Sequence, residues 1–193
     1  MNKITQLKKN LNELANPVKA KFFPRFFKTG PGEYGEGDEF IGVTVPNMRL
    51  VAKRYQGATL KDLQELLNSK IHEHRLTALI ILVGKYKKAD DKEKKAIVDF
   101  YLRNTLNINN WDLVDLSACY ILGEYYLDKD KAILYKLSRS KNLWEKRISI
   151  ISTAWFIKNN QFKDSLRIAE ILLKDKHDLI HKAVGWMLRE VGK

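Results

Sequence analysis

Residues 143–151 read Leu143-Trp144-Glu145-Lys146-Arg147-Ile148-Ser149-Ile150-Ile151, a basic pair followed by apolar residues at helical density. The same form, a basic residue and then an apolar run, recurs in Glu73-His74-Arg75-Leu76-Thr77-Ala78-Leu79 and in His181-Lys182-Ala183-Val184-Gly185-Trp186. Arg147 and Lys182 lie 35 positions apart, and Arg75 and Arg147 lie 72 apart, about two such intervals. A recurrence of roughly 35 to 45 residues built from two helices is the mark of an α-solenoid of HEAT type. Helical periodicity alone also suits a plain bundle, and it is the recurrence that favours the solenoid. The chain is therefore expected to be all-α, with the second helix of each pair lining a concave face. That expectation directs attention to Arg75, Asp115, Arg147, Lys182 and Trp186.

Working outward, helices are expected over Leu60–Leu67, His72–Tyr86, Lys92–Asn104, Asp112–Leu127, Lys131–Ser138, Leu143–Lys158, Lys163–Leu172 and Leu179–Val191. Short polar turns such as Asp128-Lys129-Asp130 and Asn159-Asn160-Gln161 separate them. On the N-terminal side, Ile4, Leu7, Leu11 and Leu14 mark one helix, and Val18–Phe27 marks a second that Pro24 weakens. Glycine and proline make Lys28–Asp38 a loop. Phe40–Val45 resembles a strand but has no second strand to pair with, so it reads as an extended connection to a helix opened by Pro46. The organisation expected is one domain over residues 1–193, with 1–58 forming N-terminal helices and a Gly-rich loop and 59–193 forming tandem helical pairs.

Bulk composition narrows the class. The chain has 193 residues and 45% hydrophobic content, enough for a real core. Lys and Arg total 35 against 23 Asp and Glu, a net charge of +12 that suits a polyanionic partner, nucleic acid above all. A lysine-rich composition without any such partner would give the same number. With Cys119 as the single cysteine there is no internal disulfide, and a reducing cytoplasm is the natural compartment. The opening Met1-Asn2-Lys3-Ile4 lacks the apolar core of a secretory signal, and apolar runs such as Leu79–Val83 are too short to span a membrane.

Asn109-Asn110-Trp111-Asp112-Leu113-Val114-Asp115 is the segment richest in possible chemistry. Asn110 can cap a helix and Asp112 suits its first turn, but neither role accounts for Asp115. Asp115 lies four residues after Trp111, on the same helical face, where a carboxylate among apolar residues needs a partner or a purpose. An ion pair with a neighbouring repeat, Arg147 being one choice, is the plain alternative. Trp186 follows Lys182 by four, which places an indole and a cation together, while Trp144 and Trp155 read as core or near-core. An indole face beside a carboxylate makes a receptor for a cation. His72-Glu73-His74 and His177–His181 lack a third ligand and are expected on a hydrated surface rather than on a metal. The acidic Gly30–Gly37 segment is no phosphate cradle, and Cys119 is expected to be buried and inert.

Phe26-Phe27-Lys28-Thr29-Gly30-Pro31-Gly32-Glu33-Tyr34-Gly35-Glu36-Gly37-Asp38, followed by Ile41–Arg49, closely resembles the N-terminal signature of the AlkD-like DNA alkylation repair family. Trp111–Asp115, Leu143–Arg147 and His181–Glu190 extend the resemblance along essentially the whole chain. Position by position, it implies a catalytic aspartate at Asp115, an active-site arginine at Arg147, and lesion-contacting tryptophans at Trp111 and Trp186. Family members ordinarily continue past the Leu188-Arg189-Glu190 helix with a further repeat, which would lengthen a DNA-binding groove, whereas this sequence stops at Lys193.

The activity implied is hydrolysis of the N-glycosidic bond of cationic alkylated purines, 7-methylguanine or 3-methyladenine, in double-stranded DNA. Asp115 would stabilise the oxocarbenium-like transition state and orient water, and the tryptophans would pack against the damaged nucleotide. Arg147 would hold a phosphate, with Lys182 and Arg75 among the DNA-binding cations. The enzyme would act as a monomer without metal or cofactor and without lyase activity; the resemblance implies a lesion left stacked, on which the residues themselves are silent. Two other readings stay open at this stage: a non-catalytic DNA-binding repeat protein that recognises distorted DNA, and a protein-binding HEAT scaffold.

Overall fold

A computed structural model describes residues 2–193. Among them the chain is all-α, and its only β feature is one isolated bridge between Glu39 and Ile71. The helices gather into two compact units: one runs through Asp90 and adds Asn107–Leu113, the other comprises Asp91–Leu106 and Val114–Lys193. No helix among the described residues is long and apolar enough to cross a membrane.

The first unit holds α1 (Lys3–Asn12), α2 (Pro17–Phe26), α3 (Val45–Arg54), α4 (Leu60–Leu67) and α5 (His72–Tyr86). Helix α4 opens with a reciprocal capping box, Thr59 accepting from the Asp62 amide while Asp62 accepts from the Thr59 amide. Leu63, Leu66 and Leu67 then turn inward onto α5, which is why this short helix starts and stops as its sequence predicts. Helix α2 continues through Pro24 and buries none of its residues. Residues 40–44 belong to no helix or strand, and α3 begins one residue before Pro46. Gly42 sits at φ +80°, and a Cβ there would lie 2.2 Å from the Asn16 carbonyl oxygen, so this crossing admits only glycine.

The start of α5 corrects one expectation. His72, Glu73 and His74 are not on a hydrated surface; they are 1%, 1% and 4% exposed. The physical reason is that the fold partners each of them. The Glu73 carboxylate accepts from the amides of Ile41, Gly42 and Val43, at 3.2, 2.8 and 3.2 Å. His72 lies between two carboxylates, Nδ1 at 2.9 Å from Asp38 and Nε2 at 2.8 Å from Asp112, and Ser69 pairs with His74 Nδ1 at 2.9 Å.

In the second unit, which opens with α6 (Asp91–Arg103), α9 (Ala132–Ser138) packs on α10 (Leu143–Ser152) and α12 (Lys163–Leu172) on α13 (Asp178–Val191), and the second helices α10 and α13 pack on each other. Two helices read as continuous in the sequence are interrupted here. The stretch expected to run from Asp112 to Leu127 divides into α7 (Trp111–Asp115), a turn at Leu116–Ser117, a π-helical segment Cys119–Gly123 and α8 (Glu124–Tyr126). That expected from Leu143 to Lys158 breaks at Thr153 between α10 and α11 (Ala154–Lys158). The breaks face each other at Gly123, where a Cβ would stand 2.3 Å from the Ser152 carbonyl oxygen and 2.8 Å from Trp155 Cβ. Backbone contact this close leaves no room for a side chain, and the π-helical widening lets Gly123 reach it.

Two predictions follow from this packing. Gly123→Ala should lower unfolding free energy in urea by roughly 2–3 kcal/mol, because backbone rather than a flexible side chain must move. Stability should also fall on both sides of about pH 6.5, for opposite reasons. Burial depresses the His72 imidazole, but Asp112 and Asp38 outweigh it and push it up to about 9. Its stabilisation is therefore full below 6.5 and is lost as pH rises through about 9. Burial, with Lys8 and Arg75 adding to it, pushes His74 down to about 4, so the unfolded chain takes up a proton first as pH falls from 6.5 to about 4. Urea midpoints across this range should show the alkaline loss abolished in His72→Gln and the acid loss abolished in His74→Gln.

Candidate active site

The second unit contains a cleft of about 460 Å³ whose wall brings together Asp115, Tyr120, Lys158, Trp186 and Glu190. Asp115 ends the short helix α7. Arg147 rises from the buried face of α10 to meet it, with Nε 2.9 Å from Asp115 Oδ1 and Nη2 2.8 Å from Oδ2. This is the two-pronged geometry in which a planar guanidinium holds a carboxylate in one orientation. A third donor, Arg147 Nη1, reaches the Leu179 carbonyl oxygen of α13 at 2.6 Å. The Arg147 side chain is 6% exposed and that of Asp115 is 17% exposed. The carboxylate thus keeps one edge toward the cleft, while the guanidinium is enclosed.

Trp186 stands on α13 with 37% of its surface exposed, an unusual freedom for an indole and one suited to a flat ligand. Glu190, four residues on, shares its face and also lines the cleft. Opposite, Lys158 lies 5.7 Å from the Tyr120 ring and 5.8 Å from that of Trp155, a cation held against aromatic faces. Tyr120, Lys158 and Glu190 were not singled out from sequence. Only Glu190 carried a usable signal there, its i,i+4 spacing from Trp186. Cys119 is buried as expected, and burial pushes its thiol up to about 11, which suits an inert residue.

Trp111, at the other end of α7, belongs to the first unit. It is half-buried, its ring stacked on Phe27 at 5.4 Å and meeting the edge of Phe26 at 5.8 Å. Asn110 accepts from its amide at 2.8 Å. Behind it, Asp112 holds His72, and His72 in turn holds Asp38.

Two of the expected DNA-binding cations are placed otherwise. Arg75 is 4% exposed, with Nη2 at 2.6 Å from Asp38 and Nη1 donating to the Ser69 and Lys70 carbonyls. Arg147 is likewise turned inward. Neither guanidinium faces solvent, because each is needed to neutralise a carboxylate that the fold has buried. Lys182 does remain on the surface, paired at 2.8 Å with Asp178 one turn earlier on α13. Trp144 is core, as expected, at 6% exposure. Among the described residues no cluster of His, Cys, Asp and Glu could hold a metal ion.

The sequence matches the family described as DNA alkylation repair enzyme over residues 7–193. The fold is similar to that of a solved structure described as a predicted DNA alkylation repair enzyme from Enterococcus faecalis. The TM-score is 0.69 at 16% identity, over 92% of this chain and 83% of that one. No curated protein matches the sequence.

Arg147→Leu removes the guanidinium that neutralises a largely buried carboxylate and should cost about 3 kcal/mol of stability in urea unfolding. The double variant with Asp115→Leu should recover much of that loss, since it leaves no charge behind.

Proposed function

From a chain that belongs to the DNA alkylation repair enzyme family, we propose a DNA glycosylase that releases cationic alkylated purines such as 7-methylguanine and 3-methyladenine from duplex DNA. The observation that carries this reading is the Asp115 carboxylate, oriented by Arg147 and open at one edge to the cleft it shares with the exposed indole of Trp186. A purine that is already cationic needs no strong acid to leave. As the C1′–N9 bond breaks, the bonding pair goes to the base and neutralises it, and positive charge gathers on the sugar. An ionised carboxylate fixed beside that sugar stabilises the charge and receives the attacking water as a hydrogen-bond donor. The water oxygen bonds to C1′ and its proton passes to Asp115 or to solvent.

In this reading Arg147 orients Asp115 and leaves phosphates to surface cations such as Lys158 and Lys182. Trp186 packs against the sugar, adding the negative face of its ring to the cation's surroundings. Trp111, in the first unit, is a second indole for contact with DNA. The net charge of +12 supplies sequence-independent attraction to duplex DNA. The enzyme acts as a monomer in the cytoplasm.

The Asp115–Arg147 pairing also suits a non-catalytic DNA-binding relative, in which the pair would be structural alone. Release of free base from a duplex carrying 7-methylguanine separates the two. Wild type should release base, and Asp115→Asn should lose about 100-fold or more in rate while still binding the duplex. Undiminished release by Asp115→Asn would remove that residue from the mechanism, and binding without release by wild type would favour the non-catalytic reading.

A further inference from the structure

The buried charges of the first unit that the proposed chemistry leaves unused converge on His72. We propose that His72 is a positioning residue, whose imidazolium clamps Asp38 of the Gly-rich loop to Asp112 of α7 and thereby sets the orientation of the Trp111 indole.

Both ring nitrogens of His72 face carboxylate oxygens, Asp38 at 2.9 Å and Asp112 at 2.8 Å. Ionised carboxylates only accept hydrogen bonds, so both nitrogens must donate, and a ring with two N–H groups is the cation. The charged groups acting on it come from three elements: Asp38 from the loop, Asp112 from α7, and Arg75 from its own helix α5. Arg75 shares Asp38, and Glu73 is engaged by the amides of residues 41–43. His72, Asp38 and Asp112 are all at least nine-tenths buried, so bulk water does not stand in for a lost partner.

Two routes carry this clamp to Trp111. The first is the backbone: Asp112 follows Trp111 in the chain, so the group that holds Asp112 holds the turn from which the indole projects. The second is a stack of rings. Phe27 lies 4.9 Å from the His72 ring and 5.4 Å from the Trp111 ring, the latter pair nearly parallel at 19°. Phe40 covers His72 from a further side at 4.9 Å.

Loss of one proton would turn one of these contacts into a lone pair facing a carboxylate oxygen at under 3 Å. One carboxylate must then turn away, and either departure opens the clamp. Burial works against the charge, but Asp112 and Asp38 outweigh it, which puts the opening near pH 9.

The consequence for DNA rests on the role of Trp111 in the proposed function, whereas the clamp does not, and the test keeps the two apart. On the full chain, ¹⁵N shifts of His72 followed from about pH 7 to about pH 10 should show both nitrogens protonated at neutral pH. A neutral ring there would overturn the proposal. Acrylamide quenching of Trp111, taken as the difference from Trp111→Phe, should rise about two-fold or more in His72→Gln, and in wild type as His72 deprotonates. In single-turnover base release, His72→Gln should raise the half-saturating DNA concentration about ten-fold and change the maximal rate by less than about three-fold.

If His72→Gln fails to fold, Asp112→Asn serves in its place. It keeps an acceptor while removing a charge, and should both lower the His72 titration and loosen Trp111. A folded variant in which Trp111 quenching stays at the wild-type value would sink the positioning role. Absence of base release from every version would count against the glycosylase, while the shifts and the quenching would still decide the clamp.

Discussion

A guanidinium that is almost wholly enclosed must find its acceptors inside the protein, and Arg147 finds them on two other helical segments. Two donors reach Asp115 at the end of α7 and a third reaches the Leu179 carbonyl at the start of α13. The second unit therefore has its candidate site tied at one point, from α10 outward. The same residue neutralises the carboxylate, fixes its direction and anchors the helix that carries Trp186. An apolar side chain at that point would pack as well but would leave the carboxylate without the opposing charge of the guanidinium.

The first unit meets the same constraint in another way. Its buried charges form a chain, from Arg75 to Asp38 to His72 to Asp112, with Glu73 satisfied separately by three amides. These contacts hold down an irregular, Gly-rich segment that no sheet supports. Irregular backbone can lie against a helical core only if its polar groups are met, and the first turn of α5 meets them. Gly42 alone could pass so close to the Asn16 carbonyl at φ +80°, and its own amide is one of the three that meet Glu73.

Much of the helical framework was legible in the sequence. Leu60–Leu67, His72–Tyr86 and Lys163–Leu172 begin and end as their apolar spacing, caps and flanking polar turns predict. The two misread helices failed for one shared reason. Residues 111–127 and 143–158 are helical in propensity throughout, and both breaks lie in the two segments that meet at Gly123 and Ser152, about thirty positions apart in the chain. Local periodicity carries no trace of such a contact. His72 and His74 were misplaced similarly, because a polar pair at the head of a helix looks solvated until its partners are known.

The sequence by itself determined the helical class, most element boundaries, the basic charge and the residue types of the site. These depend on short-range spacing and composition, which a single chain displays openly. Only the tertiary structure decided which charges are committed and which are free. It turned Arg75 and Arg147 inward while leaving Lys182 and Lys158 at the surface, although all four are simply basic residues in helices. Burial and pairing are properties of contacts between residues distant in the chain, and the cost of an unpaired buried charge makes those contacts, rather than local sequence, settle the role of each side chain.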